Sequence, residues 1–147
     1  MVCKRRLILF ILLSLSLSLF GVSVQGARAE GQPVFSPMPE PGKKVPMGNG
    51  YYLIYGFDKR PKLGTVIMKV EVFTAEGKKD TSFELKADAG MPSMKGAHET
   101  GDRPFTLSKK GDYLLPINVV MPGGWEIRLS AMKDGKVLFR ARYNFDV

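Results

Sequence analysis

The side chains best suited to soft-metal chemistry gather in one short interval. From Gly90 to Glu99 the sequence reads G-M-P-S-M-K-G-A-H-E, which sets Met91 and Met94 three residues apart and brings His98, the only histidine, four residues later. Thioether sulfur is uncharged and polarisable and so prefers Cu(I) to hard cations, while imidazole accepts either oxidation state of copper. Met121, in a separate M-P-G-G stretch, adds a third sulfur if the two segments meet in space. The expected metal set is therefore Met91, Met94, His98 and Met121, with copper as Cu(I) for cofactor. The same methionines have an ordinary job open to them, since methionine is a flexible filler of cores and a Met-Pro at a strand end can plug the rim of a sandwich.

Catalytic constellations are missing from the sequence. A Ser-His-Asp arrangement would have to use His98 beside Asp88 or Asp102, and no nucleophile-elbow pattern accompanies them. There is no H-E-x-x-H, no C-x-x-C and no phosphate-cradling G-K-S/T loop. Asp88, Glu99 and Asp102 lie near the methionine interval, but their spacing is not that of an EF-hand. The reading is non-catalytic, with no small-molecule substrate.

The elements that would hold these residues follow a period of two, the mark of half-buried strands. Val66, Met68, Val70 and Val72 share one face while Lys69 and Glu71 take the other. After a turn at Ala75-Glu76-Gly77-Lys78, the residues Phe83, Leu85 and Ala87 alternate with Glu84, Lys86 and Asp88, predicting a second strand antiparallel to the first. Tyr113, Leu115, Ile117 and Val119 share a face, and Pro116 between them marks an edge or a bulge. Met121-Pro122-Gly123-Gly124 reads as a hairpin turn leading to Trp125, Ile127 and Leu129, with Trp125 a core residue. A final hairpin turns at Asp134-Gly135 and returns with Phe139, Ala141, Tyr143 and Phe145 inward. With Tyr51 to Phe57 and a short piece from Pro104 to Leu107, about seven strands result and no helical period. The expected fold is all-β, an immunoglobulin-like antiparallel β-sandwich, with a small barrel as the alternative.

Residues 1–29 have another character: basic Lys4, Arg5 and Arg6, an apolar stretch from Leu7 to Val24, then Ala27-Arg28-Ala29. This is the layout of a cleavable signal peptide, with processing before Glu30. An uncleaved N-terminal membrane anchor is the alternative. Either way the rest is translocated, so the domain is expected in the periplasm or another extracytoplasmic space. Cys3, the sole cysteine, precedes the apolar stretch, so the exported part can form no disulfide and must rely on an apolar core. Of the formal net charge of +8, Lys4, Arg5, Arg6 and Arg28 account for four, leaving +4 on the exported part. No basic run with interleaved aromatics is present, and nucleic acid is not an expected partner. Residues 30–50, rich in proline and glycine, read as a linker or loosely docked arm, and the sandwich is expected over 51–147.

The M-P-S-M stretch at Met91 to Met94, G-D-Y at Gly111 to Tyr113 and M-P-G-G-W at Met121 to Trp125 together resemble the YtkA-like family and its FixH-like relatives. The resemblance covers roughly residues 63–129. It implies an exported or membrane-anchored immunoglobulin-like domain tied to copper handling or to assembly of copper-containing oxidases, with a membrane copper transporter or oxidase-assembly protein as partner. Family sulfurs would correspond to Met91, Met94 and Met121. Relatives often carry Gly-His directly after the second methionine, whereas here Lys95 follows and the histidine comes at position 98. The functional expectation is an exported, non-catalytic binding or accessory domain that holds Cu(I). Its alternative is a protein–protein interaction domain with no metal.

Overall fold

The computed structural model describes residues 33–147, so the signal peptide read at 1–29 lies outside the described residues. Ten strands form in chain order: β1 (Ser36–Pro37), β2 (Lys44–Gly48), β3 (Tyr51–Phe57), β4 (Gly64–Thr74), β5 (Glu84–Gly90), β6 (Arg103–Pro104), β7 (Thr106–Leu107), β8 (Tyr113–Val119), β9 (Gly124–Lys133) and β10 (Lys136–Asp146). They build a β-sandwich of two five-stranded sheets, ordered β1-β10-β9-β5-β6 and β2-β3-β4-β8-β7. All pairings are antiparallel except β1 with β10. Among the described residues no helix is long and apolar enough to cross a membrane.

Alternation decides which side chains enter the core. Val66, Met68, Val70 and Val72 of β4 face Ile127, Leu129 and Ala131 of β9, all at 1% exposure or less. Trp125 and Tyr55 are the largest fully buried side chains. The expected final hairpin forms, with Lys133 opposite Lys136. Its Asp134 (φ 51°) and Gly135 (φ 72°) take the two positive φ values that a type I′ turn requires.

Three expectations about connection are corrected. The strand after Ala75–Lys78 does not return beside β4. The chain starts a hairpin, with a bridge between Phe73 and Lys79, and then leaves for the opposite sheet, where β5 pairs with β9 and β6. Asp80 N–H still donates to Val72 O (2.9 Å), and beyond that bond the Asp80 carboxylate accepts Ser82 N–H (2.8 Å) and meets Lys133 Nζ of β9 (2.8 Å) as the chain crosses over. Likewise Met121–Gly124 is no hairpin, because β8 belongs to one sheet and β9 to the other. The turn arches over the end of the sandwich. The piece from Pro104 to Leu107 divides at Phe105 into β6 and β7, one in each sheet.

The segment expected as a linker or arm is part of the fold from residue 36 onward. Val45 and Met47 are buried with Pro46 exposed between them, and Met38 is buried after β1. Gly42 N–H donates to Tyr55 O (2.8 Å), and the Tyr55 hydroxyl donates to Pro39 O. Proline density did not prevent this because an outer strand has one set of backbone groups that need no partner. Three of the four outer strands use that allowance: Pro37 lies on β1, Pro46 on β2 and Pro104 on β6. On the fourth margin β7 covers only the start of β8, and Pro116 sits on the uncovered part. Its partner Ile67 exchanges both backbone groups with Asp58 on the other side, so the nitrogen of Pro116 faces the open side, where no donor is called for.

Candidate metal centre

The two methionine loops share one rim of the sandwich. β5 ends at Gly90 opposite Glu126, near the start of β9, and β8 ends at Val119, from which Val120–Gly123 arches over to β9. Met91 and Met121 are the next inward positions of β5 and β8 after their last strand residues. The alternation Phe83, Leu85, Ala87, Ala89 carries on to Met91, and Leu115, Ile117, Val119 carries on to Met121. Met91 is accordingly buried, at 5% exposure, and Met121 is half-buried against the core.

Met91 makes the contact between the loops. A Cβ built on Gly123 would lie 2.8 Å from Met91 Cε, closer than carbon atoms approach, so a side chain at 123 would displace the thioether methyl from its seat. The arch that receives it is fastened at several points. Trp125 Nε1–H donates to Met121 O (3.0 Å), and Gly123 and Val147 exchange backbone hydrogen bonds of 2.8 and 3.1 Å.

Beyond Met91 the chain forms a single 3₁₀ turn, Pro92–Met94, closed by Met94 N–H to Met91 O at 2.9 Å. Proline suits its first position, where an N–H would have no partner. The turn lifts Met94 out to 40% exposure. Ala97 N–H donates to Met94 O (3.1 Å), and the half-buried His98 follows.

The far end of this loop is locked to the outer face of the first sheet. Thr100 N–H donates to Ala89 O and Thr100 Oγ1 accepts Ala89 N–H, both at 3.0 Å, and Thr100 Oγ1 also donates to Asp88 Oδ1 (3.3 Å). Asp88, the one buried charged residue among the described residues, pairs with Arg128, which also reaches Glu99 at 3.3 Å. Burial acting alone would lower the Arg128 guanidinium, but Asp88, Glu99 and Glu126 outweigh it and raise it, so the pairing cation stays charged. Gly90 has the required space: a Cβ there would press Glu99 Cγ at 3.1 Å. The sequence marked Asp88 and Glu99 only as carboxylates near the loop and gave no sign of Thr100 or Arg128 as their partners, because cross-strand register is needed to see it.

The four expected ligands are thus placed on one rim but in different environments. Met91 lines a cleft of about 780 Å³ together with Pro92, Lys95, Glu99, Glu126 and Arg128, whereas Met94, His98 and Met121 do not line it. Among the described residues no three His, Cys, Asp or Glu side chains gather as a metal site. A metal here would rest on sulfur with one imidazole, a donor set that fits a soft monovalent ion. Met94, His98 and Met121 are open to solvent wholly or in part.

No family model matches the chain, and no curated protein matches it. Among solved structures, the fold is similar to that of a copper-bound variant of FetP from uropathogenic Escherichia coli, with a TM-score of 0.52 at 11% identity over 71% of this chain and 93% of that one. As-isolated FetP from uropathogenic E. coli, expressed recombinantly in the E. coli periplasm, gives a TM-score of 0.48 at 13% identity over 73% and 93%. At such identities the likeness is one of fold.

Proposed function

We propose that this chain is an exported, non-catalytic accessory domain of YtkA-like or FixH-like kind that works with copper, holding Cu(I) at the rim where its two methionine loops meet. The observation that carries the reading is the convergence itself: Met91 of one loop seats on Gly123 of the other, with Met121 two residues before that seat and Met94 and His98 on the turn above. The copper-bound FetP variant, which shares the sandwich, supports the choice of metal. Cu(I) would be held by Met94, Met121 and His98, with Met91 as the sulfur in reserve. The ion supplies soft-ligand affinity and nothing catalytic. A membrane copper transporter or an oxidase-assembly protein is the partner this reading expects.

The test is competition between the processed protein and a colorimetric Cu(I) chelator under a reductant. Withdrawal of metal from the chelator is expected, weakened in Met94→Ala and in Met121→Ala. No withdrawal ends the copper reading. Thioethers take up no protons in the working range whereas a ligating imidazole must be unprotonated, so affinity that falls on acidification assigns His98 to the set.

One observation favours a second reading, an interaction domain without metal: Met91 is 5% exposed and packed, as a core residue would be. Met91→Ala costs stability under either reading. Met94 separates them, because it has no core contact to lose.

A further inference from the structure

The same end of the sandwich carries an exposed apolar pair inside a basic loop. Register sets Gly64 of β4 opposite Val119 of β8, so Leu63 and Val120, the next residues outward, stand across from each other at the tip. Each is 53% exposed. The connection into β4 reads Asp58-Lys59-Arg60-Pro61-Lys62-Leu63, and its three cations are exposed and take part in no ion pair among the described residues. The loop is held in place: Asp58 N–H donates to Ile67 O (3.0 Å), and Asp58 Oδ1 accepts Ile67 N–H (2.8 Å). The one carboxylate within the loop is therefore occupied. Leu107 and Val137 are also exposed, but they lie at the opposite end.

Two exposed aliphatic side chains within a frame of free cations match the boundary of an anionic bilayer, where apolar tips enter the acyl region and cations meet lipid phosphate. We propose that this rim docks on an anionic phospholipid surface, with Leu63 and Val120 inserted and Lys59, Arg60 and Lys62 against the headgroups. Glu40 and Asp146 border Lys59 and Arg60 across a cleft of about 540 Å³ walled by Phe57, Tyr143 and Phe145, and they subtract from the attraction. Charge and apolar insertion must then act together, and losing either releases the domain. The inference does not rest on copper, because none of these five side chains is in the metal set. It would bring the methionine loops close to the membrane.

The test uses the processed protein, sedimented with phosphatidylcholine vesicles with and without phosphatidylglycerol. Binding is expected only with the anionic lipid and should weaken as salt shortens the screening length from about 10 Å at 0.1 M to about 3 Å at 1 M. Lys59→Ala, Arg60→Ala and Lys62→Ala should each lower partitioning about fivefold. Leu63→Ser with Val120→Ser should abolish it, with unchanged melting as the control for folding. Equal binding to neutral and anionic vesicles overturns the proposal, as does binding that these variants leave intact. Absence of vesicle binding also overturns it, and an acidic protein would then be the partner for the cations.

Discussion

Gly123→Ala probes the joint on which the functional reading depends. A Cβ there would stand 2.8 Å from Met91 Cε, and Gly123 has a φ of 130°, a region that L side chains rarely adopt. Unusual backbone conformation costs about 1–3 kcal/mol, and overpacking a filled site costs about 1–3 kcal/mol. The Met91 methyl is the free end of a flexible chain and can yield, so the combined loss should be about 2–4 kcal/mol, a fall in melting temperature on the order of 10 °C. The decisive assay is a double-mutant cycle with Met91→Ala, followed by chemical denaturation. Met91→Ala alone should cost about 2–5 kcal/mol, as truncated buried methionines do. In its background the alanine at 123 meets no methyl, so only the conformational part of its cost remains. The double variant should therefore be about 1 kcal/mol or more better than the sum of the singles. Additivity within about 0.5 kcal/mol would show that Met91 does not occupy the notch and would refute the contact between the loops.

Met94→Ala, at 40% exposure, should change stability by no more than about 0.5 kcal/mol while lowering Cu(I) retention, so a large stability loss would move Met94 into the packing. Burial alone would raise Asp80, but Lys133 and the Ser82 hydroxyl and N–H hold it at about 2, below the ordinary 3.8. This stabilisation is complete above the unfolded value and is lost as pH falls through about 2; worth about 2 kcal/mol by linkage, it should vanish in Asp80→Asn, whose urea-unfolding curves between pH 5 and pH 2 would otherwise track wild type. The Lys79 hydrogen bond likewise lowers Glu71 and Asp112, so part of the acid loss should persist in that variant. Asp88→Ala removes the carboxylate that Arg128 and Thr100 share, and it should cost about 1–3 kcal/mol. It should also speed hydrogen exchange at the Thr100 amide, and unchanged exchange would mean that the loop is held by other contacts.

Side-chain alternation made the strands, their inward faces and the Asp134-Gly135 turn readable from sequence, since each depends on neighbours one or two residues apart. Partner strands were not readable. The face of β5 is the same whether it pairs with β4 or with β9, and the crossover is marked only by contacts such as Asp80 with Lys133 that join residues far apart in sequence. The docked segment from Met38 to Met47 was hidden by its prolines, although Val45 and Met47 already showed the alternation. Met91 repeats that lesson, because extending the inward series from Phe83 by twos reaches it and accounts for its burial. Met94 falls off that series, inside the 3₁₀ turn, and is the exposed sulfur for that reason.

With a proline on each of its four flanks, two copies of this domain meeting side by side have no continuous row of donors and acceptors to zip together. Lateral stacking into ribbons is discouraged even where the domain is crowded. End-on approach through the loop tips needs no such row, so a metal or a membrane held there would meet each copy singly and from the same direction.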